Sequence, residues 1–174
     1  SHPDDLLDDS FDYIIKNPGI RNDHKYVVKA KELGIPVINE AEMAYRLLPD
    51  DVTLIGITGT NGKTTTTTLT YEMIKKSGKR VHLAGNIGYP LCSFLDKLES
   101  GDIIVMEVSC QQLANMDKFN PHIALMTNLS EAHIDFFGSY EAYKEDKLKL
   151  FKNQQDDDIA TVSYTHLRAH ETDQ

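Results

Sequence analysis

The stretch Asp51–Arg80 constrains this chain most, because it reads as a strand, a glycine loop and a helix in that order. It begins with the apolar, β-branched run Val52–Thr58, which is typical of a buried strand. After the loop, Leu69, Met73 and Ile74 fall at helical spacing and predict the apolar face of a helix. Strand, glycine loop and helix are the order found in phosphate-binding loops.

The loop itself reads T-G-T-N-G-K-T-T over residues 58–65. Glycines let backbone N–H groups face an anion, a lysine reaches terminal phosphates, and the next Ser or Thr can hold Mg²⁺. The generic pattern would place a glycine at Ile57, whereas Gly56 stands one residue earlier. An ordinary Asn-Gly turn is the alternative interpretation. The candidate phosphate contacts are Gly59, Thr60, Asn61, Gly62, Lys63, Thr64 and Thr65.

Composition excludes several classes of protein. The chain has 174 residues, of which 40% are hydrophobic, so it suits one domain or one domain with pieces of its neighbours. A formal net charge of −9 argues against nonspecific binding to nucleic acid or to anionic membranes. An anionic nucleotide would therefore need local cations. Cys92 and Cys110 show no metal-ligand spacing, which fits a reducing compartment.

Nothing in the sequence resembles a membrane span or a signal peptide. The chain opens on Ser1 without an initiator Met, and we expect it to be a piece of a longer protein. Beyond Gln154 a turn and a strand to Val162 are predicted. Residues 163–174 show neither periodicity nor a ligand set around His166 and His170, and we expect an appended or disordered tail there.

The segment before the loop predicts a β-turn-α-β-α unit. A strand over 11–16 ends in the turn Asn17-Pro18-Gly19. A helix over 25–33 stops at Gly34, a strand covers 35–38, and a helix covers 40–48. Pro49–Asp51 is then a linker into the loop strand. For the Asn17 turn, a plain Asn-Pro-Gly turn and a ligand contact are both open at this point.

A second strand predicts a metal ligand. After a strand over 80–84 and the turn Gly-Asn86-Ile-Gly, a short helix over 91–98 leads into the apolar run 102–109, which contains Glu107. A buried carboxylate is costly unless it is paired or bound to metal. At the carboxyl end of a parallel strand beside a phosphate loop, Glu107 is where a Mg²⁺ ligand is expected. Taken alone, Asn86 is more typical of a turn than of a ligand contact.

Two further residues stand out downstream. A third strand over 122–127 is followed by His133, which we expect on the same sheet edge as Glu107. On the helix predicted over 139–151, Lys147 lies in the middle of the apolar face formed by Tyr140, Tyr143, Leu150 and Phe151. Burial drives a lysine towards its neutral amine, which can take up CO₂ as a carbamate. A lysine that merely snorkels to solvent is the alternative.

Five motifs together resemble the Mur ligase superfamily, which includes the folylpolyglutamate synthetases. They are the loop T-G-T-N-G-K-T, the segment D-Y-I-I-K-N-P-G-I, the turn G-N-I-G, the spelling E-V-S-C-Q-Q-L for the usual E-x-S-S-F-Q-L, and Y-x-x-x-K. The resemblance implies an α/β fold with a mainly parallel sheet. It assigns residues 1–48 to the end of an N-terminal UDP-substrate domain and 49–162 to part of a central ATP-binding domain.

The resemblance also assigns roles to particular residues. It places ATP at the loop and implies two Mg²⁺ sites, one held by Thr64 and Glu107 and the other by His133 with a carbamylated Lys147. Lys63, His133 and Lys147 become the catalytic candidates. Cys110 and Gln111 depart from the motif and receive no role. Substrate contacts fall on Asn17, Pro18, Gly19, Asn86 and Gln112.

The branch that the segment D-Y-I-I-K-N-P-G-I resembles adds D-glutamate to UDP-N-acetylmuramoyl-L-alanine during cytoplasmic peptidoglycan synthesis. The implied partners are these small molecules, with no nucleic acid and no membrane, and a monomer is expected. Three alternatives stay open: a sibling ligase that adds another amino acid, a folylpolyglutamate synthetase, and a nucleotide-binding fragment without activity of its own.

Overall fold

The computed structural model describes residues 6–132 and 134–163, which form two parallel β-sheets with helices around them. The strands are β1 Ile14–Lys16, β2 Val37–Asn39, β3 Thr53–Thr58, β4 Val81–Gly85, β5 Ile103–Glu107, β6 Ile123–Met126 and β7 Ile159–Val162. The helices are α1 Lys25–Glu32, α2 Glu40–Tyr45, α3 Lys63–Lys76, α4 Cys110–Leu113, α5 Ile134–Phe137 and α6 Tyr140–Leu148, with 3-10 turns at Leu91–Lys97 and Lys149–Phe151.

The main sheet has five parallel strands in the order β4-β5-β3-β6-β7, which confirms the predicted α/β class. β3 lies at its centre, with Ile57 opposite Glu107 on β5 and Thr58 opposite Met126 on β6. Because parallel strands end at the same edge, this register brings the segments that follow β3, β5 and β6 together.

The small sheet pairs β1 with β2 in parallel, and α1 connects the two strands. This is the β-turn-α-β-α unit that the sequence predicts. The predicted domain boundary after residue 48 stays a prediction, as does the division at residue 162.

Helix α2 holds the small sheet against the main domain. Ala41 and Ala44 belong to the principal buried cluster. Beside them, the Glu42 carboxylate is completely buried and accepts hydrogen bonds from the backbone N–H groups of Lys118 (2.9 Å) and Phe119 (3.1 Å). Arg46 supplies the countercharge at 2.7 Å. A buried carboxylate satisfied in this way fixes how the two units meet.

The apolar face predicted for α3 is only partly buried. Ile74 and Tyr71 pack against the cluster built on the main sheet, and Thr67 is fully buried. Leu69 and Met73, in contrast, are 60% and 64% exposed. The predicted helix is therefore confirmed. The sheet covers the side of the helix that carries Thr67, so the prediction that Leu69 and Met73 belong to the buried face is wrong.

Several predicted helices run longer than those observed. The helix predicted over 40–48 ends at Tyr45, and the one predicted over 139–151 is α6 followed by a 3-10 turn. The first strand starts at Ile14. Over the ranges 6–132 and 134–163, no helix is long and apolar enough to cross a membrane. The tail prediction concerns mostly residues 164–174, which lie outside the described residues.

Candidate active site

A cleft of about 870 Å³ opens between the carboxyl edge of the main sheet and the turn that follows β1. It is lined by residues from both sheets, from α4 and from α6. Eight of the predicted site residues line it: Asn17, Pro18, Gly19, Gly59, Lys63, Asn86, Gln112 and Lys147. Residues to which the sequence assigned no site role also line it, among them Lys16, Glu40, Ser109, Phe136 and Tyr143.

The phosphate loop is held in place by the segment after β6. A Cβ on Gly59 would lie 1.9 Å from the Thr127 hydroxyl, so only glycine fits there. Thr60 N donates to the Asn128 carbonyl (3.1 Å), and Asn61 N donates to the Asn128 side-chain oxygen (2.9 Å). Asn128 therefore shapes the loop, a role that the sequence did not reveal.

Helix α3 starts at Lys63, and its first turn carries Thr64 and Thr65. Gly62 precedes it in a left-handed conformation (φ 77°) without a side-chain cap. The first N–H groups of the helix consequently have no partner within it and point towards the loop. Lys63 Nζ donates to the Gly59 and Thr60 carbonyls at 2.9 and 3.0 Å. These are the donors that a phosphate would meet.

Gly56, which stands one residue before the position of the first glycine in the generic pattern, has a packing role. Gly56 lies inside β3, where a Cβ would come within 3.0 Å of Pro121 and 3.1 Å of Leu150. It belongs to the strand and not to the loop, which explains its displacement from the generic pattern.

Glu107 is buried at the end of β5, with 1% of its surface exposed. Its two carboxylate oxygens accept hydrogen bonds from the Thr64 hydroxyl and the Asn86 amide, both at 2.7 Å. Gly85 lets β4 approach this closely, since a Cβ there would lie 2.2 Å from the Glu107 carbonyl. Within the described residues no Lys, Arg or His forms an ion pair with Glu107.

This donor set suits Mg²⁺, which prefers carboxylate and hydroxyl oxygens and keeps several waters or phosphate ligands. Over residues 6–132 and 134–163 no group of three or more His, Cys, Asp and Glu side chains could hold a metal ion by itself. An ion beside Glu107 and Thr64 would therefore complete its shell with phosphate and water. His133, the predicted ligand of the second site, lies outside the described residues.

Lys147 is buried on α6, as its place in the apolar stripe predicts, with 1% exposure. Its Nζ donates to the Gly59 carbonyl at 2.7 Å and to the Thr58 hydroxyl at 3.4 Å, and lies 5.1 Å from the centre of the Tyr143 ring. Burial lowers the pKa of Lys147 to about 8. About a tenth of the Lys147 side chains are therefore neutral amines at pH 7, far more than for an exposed lysine.

Gln112 lies in the cleft but its side-chain oxygen is already engaged. It accepts from the Ser109 backbone N–H (2.9 Å) and hydroxyl (3.0 Å), which caps α4. Only its amide NH₂ is left for a ligand. The Gln112 carbonyl accepts from buried Asn39 at the end of β2 (2.6 Å), so the small sheet positions this helix. Cys110 beside it is buried, and burial raises the pKa of its thiol.

The turn after β1 presents its backbone to the cleft. Asn17 Oδ1 accepts from Gly19 N at 2.9 Å, and the Asn17 carbonyl accepts from Ile20 N at 3.0 Å. Asn17 and Gly19 are exposed, as a ligand contact requires. The turn is thus pre-formed by its own hydrogen bonds.

A central parallel sheet, a glycine loop that opens a helix, and a buried carboxylate at the next strand end define a P-loop-type α/β domain. The model of the Mur ligase middle domain matches residues 57–172, and the chain belongs to the Mur ligase family.

Two similar curated proteins carry the same enzyme name. The UDP-N-acetylmuramoylalanine–D-glutamate ligase of Lactococcus lactis subsp. lactis (strain IL1403) is 47% identical over 164 residues, covering 94% of this chain and 36% of the relative. The ligase of the same name from Geobacillus sp. (strain WCH70) is 46% identical over 162 residues, again covering 36% of the relative. The chain thus spans about a third of the length of the relatives it matches.

Solved structures show the same fold. The MurF ligase from Thermotoga maritima in complex with ADP superposes with a TM-score of 0.62 at 24% identity, covering 92% of this chain and 44% of that one. A UDP-N-acetylmuramate:L-alanyl-γ-D-glutamyl-meso-diaminopimelate ligase from Neisseria meningitidis superposes with a TM-score of 0.58 at 18% identity, covering 92% of this chain and 54% of that one.

Proposed function

We propose that this chain carries the ATP-binding and carboxylate-activating centre of a ligase that adds D-glutamate to UDP-N-acetylmuramoyl-L-alanine, in the cytoplasmic stage of peptidoglycan synthesis. The observation that carries the proposal is Glu107. This buried carboxylate accepts hydrogen bonds from Thr64 of the phosphate loop and from Asn86 of the cleft, and no basic side chain of residues 6–132 and 134–163 forms an ion pair with it. The names of the 46–48% identical relatives support the choice of substrates.

The proposed reaction has two steps. An oxygen of the substrate carboxylate attacks the γ-phosphorus of ATP and ADP leaves, which forms an acyl phosphate. The amine of D-glutamate then attacks the acyl carbon, phosphate leaves, and the amine loses a proton. Positioning and charge neutralisation carry such phosphoryl transfer.

The residues of the chain divide this work between them. Lys63 and the first N–H groups of α3 bind the β- and γ-phosphates, for which Lys63 exchanges its carbonyl partners for phosphate oxygens. Asn86 and the free amide NH₂ of Gln112 orient the substrate in the cleft. Thr64 and Glu107 would hold one Mg²⁺, which supplies neutralisation of phosphate charge when bound.

For the second metal site we propose His133 and a carbamate on Lys147. The neutral amine favoured by burial is the form that adds to CO₂, with loss of one proton. The product is an anionic oxygen donor facing Gly59 of the loop. Growth in ¹³C-bicarbonate should give a carbamate carbon resonance that is absent from Lys147→Met, and equal spectra for both proteins would contradict this assignment.

Substrate binding tests the proposed function in the 174-residue chain. We expect ADP with Mg²⁺ to bind wild-type protein, and UDP-N-acetylmuramoyl-L-alanine to bind more tightly than UDP-N-acetylmuramate or a folate, both measured by NMR titration. Lys63→Met should lose ADP and keep the nucleotide sugar. Preference for a different acceptor would favour a sibling ligase or a folylpolyglutamate synthetase instead.

Turnover needs a second experiment, because the chain spans about a third of its relatives' length. We expect the chain alone to bind nucleotide without ligating. A chimera in which residues 6–163 replace the matching segment of the Lactococcus lactis ligase should release ADP only when both substrates are present. The same chimera with Lys147→Arg should keep ADP binding and lose turnover, and unchanged turnover would remove Lys147 from the mechanism.

A further inference from the structure

Lys16 is a cation in the cleft that the reaction proposed above does not use. It is the last residue of β1, directly before the Asn17-Pro18-Gly19 turn, and its side chain is 5% exposed on the wall of the cleft. Its Nζ donates to the Ile20 carbonyl at 2.5 Å, which joins the two ends of the turn.

Among the described residues, the ammonium group of Lys16 has no countercharge. It has three N–H donors, of which the Ile20 carbonyl takes one. No carboxylate of residues 6–132 and 134–163 forms an ion pair with it. Burial, and to a smaller extent the like charge of Lys31, lower the pKa of Lys16. A buried cation without an anionic partner is unfavourable, so an anion in the cleft would satisfy it.

The position of Lys16 indicates which anion. The reacting carboxylate of the substrate must meet the terminal phosphate of ATP near Lys63, which starts α3, and Glu107, which ends β5 of the main sheet. Lys16 belongs to the small sheet, beside the turn assigned to the nucleotide sugar. The other strongly anionic group of that substrate is its diphosphate. We propose that Lys16 binds the diphosphate of the nucleotide-sugar substrate, an inference that rests on the proposed function.

A purely structural role would give Lys16 only the task of closing the turn through Ile20. Two substitutions separate the roles. Lys16→Met keeps most of the aliphatic stem and removes the charge, whereas Lys16→Arg keeps the charge. Lys31→Met is the matched control, because it removes one nearby positive charge from an exposed residue outside the cleft.

The experiment is an NMR titration of the 174-residue chain with UDP, and then with UDP-N-acetylmuramoyl-L-alanine, in saturating ADP and Mg²⁺ so that the phosphate loop is occupied. We expect Lys16→Met to weaken both ligands about ten-fold, the usual effect of losing a charged hydrogen bond. Lys16→Arg should retain most of the affinity, and Lys31→Met should match the wild type. Added salt should weaken wild-type binding more than binding to Lys16→Met.

The outcomes separate this inference from the proposed function. Equal affinities for wild type and Lys16→Met would overturn the role of Lys16 alone. If Lys16→Met bound the full substrate more weakly but bound UDP with wild-type affinity, Lys16 would contact the substrate carboxylate, and the diphosphate assignment would be overturned. A wild-type chain that binds ADP but neither uridine ligand would overturn both the inference and the substrate half of the proposed function.

Discussion

Two buried carboxylates flank the same strand, β5, and have opposite surroundings. Asp102 stands just before the strand and Glu107 at its end, and each is 1% exposed. Asp102 accepts hydrogen bonds from the Arg80 guanidinium (Nε at 2.7 Å), from His82 Nε2 at 2.8 Å and from the Glu99 backbone N–H at 3.0 Å. Its charge is matched within the fold.

Among the described residues, Glu107 accepts hydrogen bonds from the neutral side chains of Thr64 and Asn86 and forms no ion pair. The difference teaches where function lies on this sheet. At the amino edge of the sheet, the buried charge of Asp102 is paired within the fold. At the carboxyl edge, the equally buried charge of Glu107 has no ion-pair partner among the described residues, which is favourable only if a ligand supplies a cation.

The largest effect is expected at Glu107, and it tests whether this carboxylate binds a cation. In Glu107→Gln we expect the Mg²⁺-dependent gain in ADP affinity to fall about 100-fold, since a direct ligand should matter at least as much as the outer-shell residues that tune metal sites. Calorimetry with and without Mg²⁺ measures it. Asp102→Asn is the control and should keep the gain. An undiminished Mg²⁺-dependent gain in ADP affinity in Glu107→Gln would show that Glu107, like Asp102, does not bind the cation.

The second prediction concerns the free energy of unfolding, for which we expect the larger effect at Asp102 and the smaller one at Glu107. Asp102→Asn should lower the free energy of unfolding by about 2 kcal/mol at pH 7, because it leaves buried donors poorly matched; half-exposed Arg80 limits the loss. Glu107→Gln should change it by less than about 1 kcal/mol, since its neutral donors tolerate an amide. Urea unfolding provides the measurement, and equal losses would contradict the comparison.

The same pair gives a pH dependence. Hydrogen bonding to Arg80 holds the pKa of Asp102 well below its usual range. A carboxyl with a depressed folded pKa contributes stability above its unfolded pKa and loses it as pH falls towards the folded pKa. The stability gap between wild type and Asp102→Asn should therefore narrow on acidification below about pH 4. A gap that stays constant would mean that Asp102 acts by packing alone.

A third prediction extends the comparison to a buried cation at the carboxyl edge. Lys147 has a pKa lowered to about 8, so between pH 8 and its unfolded value of 10.5 the folded protein is stabilised as pH rises. In CO₂-free buffer Lys147→Met should be more stable than wild type by about 1 to 2 kcal/mol at pH 7 and nearly equal at pH 10. A pH-independent difference would show that the charge is not the cause.

The smallest effect is expected at the exposed end of the Asp102 network. Arg80→Met should lower the free energy of unfolding by less than Asp102→Asn does, because the Arg80 side chain is 53% exposed and water screens its charge. High salt should reduce this cost further. A loss of unfolding free energy as large as that of Asp102→Asn would instead show that Arg80 supplies most of the stabilisation of the Asp102 carboxylate.

Much of the fold follows from local patterns. The order of strands and helices, the loop that opens α3 and the carboxylate that ends β5 are all readable from apolar runs and glycines. Lys147 was found because a charge interrupted an apolar stripe, and its 1% exposure confirms the burial. In each case the informative neighbours lie within one element, so spacing along the chain is enough.

Other features were not readable. Leu69 and Met73 have helical spacing but lie on the exposed side of α3, since the sheet covers the side with Thr67. Lys16 ends a short apolar strand like many surface lysines, yet it is only 5% exposed in the folded protein. Asn128 lies 67 residues from Asn61, whose backbone N–H it binds.

The sequence by itself determined the chemistry available to this protein, a phosphate loop, a strand-end carboxylate and a lysine in an apolar stripe. Only the tertiary structure decided which charges are matched. Asp102 meets Arg80, directly before the neighbouring strand β4, and His82 on that strand, while Glu107 meets a hydroxyl and an amide. The physical reason is that a buried charge depends on atoms brought together by strand order and helix packing, which local periodicity does not encode.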